Sequence, residues 1–239
     1  MQNGRQLGLP PFPPVIKNLI IINFIVWMIQ SFLGYRVTNW MEDTFALHSF
    51  LSPLFKPWQI VTHMFMHSPF GSGSGIMHIL LNMFGLWMFG SALEINFGPK
   101  RFLTFYMLSG IGAALIYLGY MQYELSPIVD QYHVMLASGA PELYLARFQA
   151  AISEAMLGAS GAVFGILAAF GYLFPNTKLY LYFFLPIPTK WAIIGIIGYE
   201  LYGALLANDD IAHLAHLGGA LTGFLIVLIW NRYNRRHFY

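Results

Sequence analysis

A serine beside a histidine is the least that nucleophilic acyl transfer requires, and this 239-residue chain carries both inside apolar runs, where polar groups are costly. Ser160 lies in Gly158-Ala159-Ser160-Gly161-Ala162-Val163-Phe164-Gly165, and His216 stands three residues before Gly219. Such a histidine takes the hydroxyl proton as base and returns it to the leaving amine as acid. The oxyanion that forms needs donors. His78 and Asn82 are spaced i, i+4 and so share a helix face; with the Ser160 backbone N–H they could supply that hole. The chain has no cysteine, which removes thiolate nucleophiles, thiolate metal sites and disulfides together.

The elements that must position these residues are read from composition and hydropathy. Only 9% of residues are charged and 57% are hydrophobic, against about 25% and 45–50% in an ordinary soluble domain. With 23 glycines and 17% aromatics, the chain reads as an all-α polytopic membrane protein. The net charge of +2 is too small to suggest a nucleic-acid partner. Six apolar stretches are expected to span, at about 16–34, 76–93, 101–120, 153–173, 190–207 and 211–230. Residues 1–14 form a proline-rich N-terminal tail, 15–231 the six-helix domain and 232–239 a basic tail. The first apolar run lacks a cleavage site and is expected to stay as span one.

The connections divide into two kinds. Residues 35–75 and 121–152 are long; the first is too apolar to be freely solvated, and the second reads as an exposed amphipathic excursion. The run Leu179 to Leu185 is too short to span and is read as interfacial. Asn208, Asp209 and Asp210 form a tight turn before span six.

Basic residues orient the chain. With the N-terminus cytoplasmic, Arg5, Lys17, Lys100, Arg101, Lys178, Lys190, Arg232, Arg235 and Arg236 fall inside, and only Arg36, Lys56 and Arg147 fall outside. Spans two, four and six then run from outside to inside. His78 and Asn82 lie in the first two turns of span two, Ser160 about two turns into span four, and His216 between one and two turns into span six. All sit on the order of 5–12 Å below the outer surface. Scattered helix-packing residues would have no reason to agree in depth. Gly161 with Gly165, and Gly219 with Gly223, form small-residue faces through which spans four and six could pack and bring Ser160 to His216.

Other readings of the same residues stand beside this one. An intramembrane serine in a Gly/Ala-rich helix is usually a packing residue, and His78 with Asn82 could be a structural pair. Glu200 sits mid-span with no obvious basic partner and reads as a neutral or hydrogen-bonded structural group. His213 shares a face with His216 and could orient the loop or the second ring. His48, His63, His67 and His78 suggest a metal, yet His-Glu-x-x-His is absent, and no metal or cofactor is expected. The serine segment is not a Gly-x-Ser-x-Gly elbow, since position 162 is Ala and no strand precedes it.

Four segments in order resemble the rhomboid family of intramembrane serine proteases. They are Met77-His78-Ile79-Leu80-Leu81-Asn82, Glu94 to Phe102, Gly158-Ala159-Ser160-Gly161, and Ala215-His216-Leu217-Gly218-Gly219 with Gly223. The Leu185-Pro186-Ile187-Pro188 turn looks familiar too, and the resemblance covers roughly residues 15–230. It implies a Ser–His dyad without an acid, cutting a peptide bond in or near a substrate's transmembrane segment. Ser160 is then the nucleophile, His216 the general base, His78 and Asn82 the oxyanion donors, and Phe164 the ring that stacks on His216, where Tyr is common. Trp58-Gln59 replaces the family's frequent Trp-Arg. The implied partners are single-span or polytopic membrane-protein substrates and the lipid bilayer. The implied setting is a bacterial inner membrane with both termini cytoplasmic and the site towards the outer side. The 35–75 loop and the 208–210 turn flank an outward-open cavity as gates, and a gate between spans two and five would admit a substrate helix. Two rivals remain: a silent family member that binds membrane clients, and a small transporter or channel.

Overall fold

The computed structural model describes residues 11–73, 75–181, 185–206 and 213–233. Among them are nine α-helices: α1 Pro14–Phe32, α2 Tyr35–Phe45, α3 Gln59–Thr62, α4 Gly75–Phe97, α5 Pro99–Ala137, α6 Glu142–Ser153, α7 Ser160–Leu173, α8 Thr189–Leu206 and α9 His213–Tyr233. Four of them, α1, α4, α5 and α9, are long and apolar enough to cross a membrane. The expected six are not all met by length and composition: α7 is apolar but has only 14 residues. The 208–210 turn, the first residues of the tail before α1 and most of the basic tail lie outside the described residues.

Helix α7 is the centre of the bundle, packed against α4, α5, α8 and α9. Gly161, Ala162, Val163, Gly165, Ile166, Leu167, Ala169 and Phe170 are all buried, so the helix is apolar all round and enclosed all round. Phe102, Phe105 and Tyr106 of α5 and Leu86 of α4 complete that core. The outside is apolar as well: Ile21, Ile22, Ile25 and Met28 of α1 and Ile194, Tyr202 and Leu205 of α8 are exposed. A surface of this kind is a liability in water and is at home against acyl chains.

Local chemistry sets the joints. Gly98 closes α4 at φ 80°, and Pro99 opens α5 at its first position, where a missing N–H costs nothing. Glu94, buried near the end of α4, accepts the Val15 N–H at 3.0 Å and the Ile16 N–H at 2.9 Å, so a carboxylate from another helix caps α1.

The expected third span, 101–120, continues without a break through Pro127 to Ala137. At about 1.5 Å per residue, α5 is roughly twice as long as a hydrocarbon core is thick. The 121–152 excursion is therefore helical: the far half of α5, a turn at Gly139, and α6 folding back. The expected fourth span, 153–173, begins seven residues later. Ala155 and Met156 form β2, paired antiparallel with β1 (Leu47–His48), and Gly158 at φ 132° turns the chain into α7. The short run after Pro175 is half of a hairpin, β3 Lys178–Leu181 against β4 Leu185–Pro188.

The first loop is held by Gln59, fully buried. Its amide Nε2 donates towards the carbonyls of Leu54 (2.9 Å), Asp43 (3.2 Å) and Thr44 (3.4 Å). Its Oε1 accepts from the Lys56 N–H (3.0 Å) and the His48 N–H (3.4 Å). A neutral amide thus anchors the loop at the position after Trp58, without an arginine.

Candidate active site

The first turns of α4, α7 and α9 meet at one end of the bundle. Ser160 is the first residue of α7 rather than two turns in, His78 is the fourth of α4, and His216 is the fourth of α9. The loop before α7, not the helix itself, sets the depth of the serine. The N–H groups of a first helical turn lack intrahelical partners and favour negative charge, and Ser160 sits among such groups.

The approach of α9 to α7 depends on glycine. A Cβ at Gly219 would overlap the Gly161 carbonyl, and one at Gly223 would lie 2.7 Å from the Gly165 oxygen. On its other side α7 meets α5: a Cβ at Gly161 would stand 2.5 Å from that of Ala113, and one at Gly165 2.6 Å from Ser109 Cβ. This backbone contact brings Ser160 Oγ to 2.9 Å from His216 Nε2, across 56 residues of sequence. Phe164, one turn after the serine, lies parallel to the imidazole with ring centroids 4.3 Å apart and planes 5° apart.

His78 faces the same space. Its Nδ1 accepts the Ser68 N–H at 3.4 Å and lies 3.1 Å from Ser68 Oγ. An accepting Nδ1 leaves the proton on Nε2. That nitrogen points at Gly158, where a Cβ would stand 2.7 Å from it and 3.6 Å from Ser160 Oγ. Asn82 is buried one turn below and donates one amide hydrogen to the His78 carbonyl at 2.9 Å, leaving the second for another acceptor. The arrangement offers an activatable hydroxyl, a base and hydrogen-bond donors.

Glu200 is not partnerless. Its Oε2 accepts from His216 Nδ1 at 2.8 Å and from His213 Nδ1 at 2.7 Å. The sequence reading missed this pair because antiparallel neighbours across a short connection become level only when their rotation is known. The three side chains each offer a ligand atom within 4.8 Å of the others, so they could also hold a metal ion. Three further histidines lie in the first loop: His48 binds the Ser153 carbonyl at 2.9 Å and His63 the Gln59 carbonyl at 2.8 Å. His67 packs edge-on against His78, centroids 5.1 Å apart. The Gly158 N–H donates to the His63 carbonyl at 3.0 Å, which ties this loop to the serine segment.

The Rhomboid domain family model matches residues 54–233. Among curated proteins, the chain is 30% identical over 227 residues to the RHOMBOID-like protein 12, mitochondrial, of Arabidopsis thaliana, covering 94% of this chain and 60% of that one. It is 33% identical over 168 residues to Rhomboid protein 1, mitochondrial, of Saccharomyces cerevisiae, covering 70% and 40%. It is 27% identical over 220 residues to Rhomboid protease GluP of Bacillus subtilis, covering 92% and 34%. The chain thus spans between a third and two thirds of the length of these relatives. Two of the three are named as mitochondrial, so the likeness gives no support to a bacterial inner membrane; what stands is an integral membrane protein.

Proposed function

The chain belongs to the rhomboid family, and from that premise we propose that it is an intramembrane serine endopeptidase. It cuts peptide bonds in or near the transmembrane segment of membrane-protein substrates. The observation that carries this reading is the 2.9 Å approach of Ser160 Oγ to His216 Nε2, with Phe164 stacked on the ring.

In the first half-reaction Ser160 Oγ attacks the scissile carbonyl and its proton passes to His216 Nε2. The carbonyl oxygen becomes an oxyanion, to which the Nε2–H of His78, the amide of Asn82 and the Ser160 N–H donate. The C–N bond breaks as His216 gives its proton to the leaving amine, and an acyl-serine remains. A water then attacks the acyl carbon, losing its proton to His216. The acid is released when that proton returns to Ser160 Oγ. Water reaches the site through the outward-open space lined by His78, Ser160 and His216, all partly exposed. In this reading α7 and α8 also cross, making six spans with α1, α4, α5 and α9, and both termini lie on the basic side.

The test is cleavage of a generic single-span substrate in liposomes by wild-type protein and by Ser160→Ala. Cleavage and fluorophosphonate labelling by wild type alone supports the proposal. A folded Ser160→Ala protein that still cleaves overturns it, and wild type that captures substrate uncut favours client binding.

A further inference from the structure

We propose that Glu200 is a positioning residue for this reaction: it fixes the tautomer and orientation of His216 and stabilises the imidazolium that forms. The inference rests on the reading of Ser160 and His216 given above.

Glu200 comes from α8, is 5% exposed, and aims Oε2 at both histidines. A carboxylate oxygen can only accept, so His216 Nδ1 must donate. The Nε2 lone pair is then left facing Ser160 Oγ, which is the form that can take the hydroxyl proton. A neutral imidazole without that acceptor divides between two tautomers, and one of them places a hydrogen where the lone pair must be.

A second, independent observation concerns His213. Its Nδ1 meets the same carboxylate oxygen, so Glu200 cannot rotate away without losing two donors. Room for that ring is built into α8. A Cβ at Gly203, one turn after Glu200, would overlap the imidazole of His213. Elsewhere on α8 the glycines Gly195 and Gly198 face open space, so Gly203 is the position where the absent side chain meets a neighbour.

The proton balance leaves Glu200 ionised throughout. The serine proton adds at Nε2 of His216, the Nδ1 hydrogen stays on the ring, and the Nε2 proton leaves with the amine. Glu200 holds the ring and faces its charge.

Glu200→Gln keeps the size and one accepting oxygen while removing the charge. The expected result is a folded protein with KM within about twofold of wild type. Its kcat and fluorophosphonate labelling rate fall together by about 10²-fold or more. Wild-type kcat in a folded Glu200→Gln protein overturns the proposal and assigns Glu200 to holding α8. A second measurement does not depend on that variant folding. In ¹⁵N-histidine-labelled wild type and Ser160→Ala, His216 should carry its hydrogen on Nδ1 alone; a hydrogen on Nε2 of the neutral ring overturns the proposal. Prolonged chelation should leave kcat unchanged, and a loss restored by a divalent metal would assign the three side chains to an ion instead. Ser160→Ala separates the two claims: activity surviving there sinks the protease reading itself, whereas its loss beside full activity in Glu200→Gln sinks only the role of Glu200.

Discussion

Gly158 lies bare against His78: a methyl group on its Cα would stand 2.7 Å from Nε2, and its φ of 132° already excludes most side chains. Gly158→Ala therefore adds backbone strain of about 1–3 kcal/mol and pushes aside His78, the proposed oxyanion donor. The expected outcome is a folded protein whose kcat is lower by on the order of 10²-fold. Steady-state cleavage with a thermal melt checks it, and unchanged kcat would remove His78 from the site.

Asn82→Ala tests the other proposed donor. Its amide already spends one hydrogen on the His78 carbonyl, so the substitution removes a donor while the helix keeps its backbone bonds. The expected loss is about 10²–10³ in kcat with little change in KM. A raised KM at full kcat would make Asn82 a packing residue.

The reach of sequence reasoning is visible at particular residues. Ser160, His216, His78 and Asn82 stand out because the residues around them are apolar, and the Gly161/Gly165 and Gly219/Gly223 faces foretell which helices touch. The start of α7 was not legible. Residues 155–159 look like the apolar start of a span, but Ala155 and Met156 pair with β1, more than a hundred positions away, and Gly158 at φ 132° delays the helix to Ser160. The partners of Glu200 were hidden for a related reason: linear spacing carries no record of how α8 is rotated against α9.

Gln59→Leu should loosen the first loop. It strips an amide from three carbonyls and two N–H groups in a buried setting. A cost of about 1–3 kcal/mol follows from leaving such groups unmet. A lower melting temperature in detergent, with early proteolysis within 47–67, is the expected result; an unchanged melt would show the loop is held elsewhere.

Acid should act on the same loop. Burial pushes His63 down to about 4, opposed by its bond to the Gln59 carbonyl; burial and then the charge of His78 push His67 down to about 3. The unfolded rings titrate near 6.5. Below that pH the unfolded chain binds protons the native loop refuses, so stability falls from about pH 6.5 towards pH 4. Glu42, raised by its own burial, works in the opposite sense at the acid end. A melting temperature that drops on going from pH 7 to pH 5, and drops less in His63→Gln with His67→Gln, meets this expectation. A flat profile contradicts it.

Orientation is tested with single cysteines, introduced into a background that has none. Asn3→Cys and His237→Cys should resist an impermeant thiol reagent in intact cells, while Ser138→Cys in the exposed turn after α5 should react. The reverse pattern would invert the assignment.

Glu94 makes the order of assembly a matter of translation. The N–H groups it receives from Val15 and Ile16 precede it by 79 and 78 residues. At about 5–20 residues per second, the ribosome takes roughly 4–16 s to cover that stretch. During this interval the end of α1 must borrow acceptors from water or lipid headgroups. The helix can cross the bilayer early, but it finds its seat in the bundle only after α4 has followed it in. One carboxylate thereby separates insertion from docking in time.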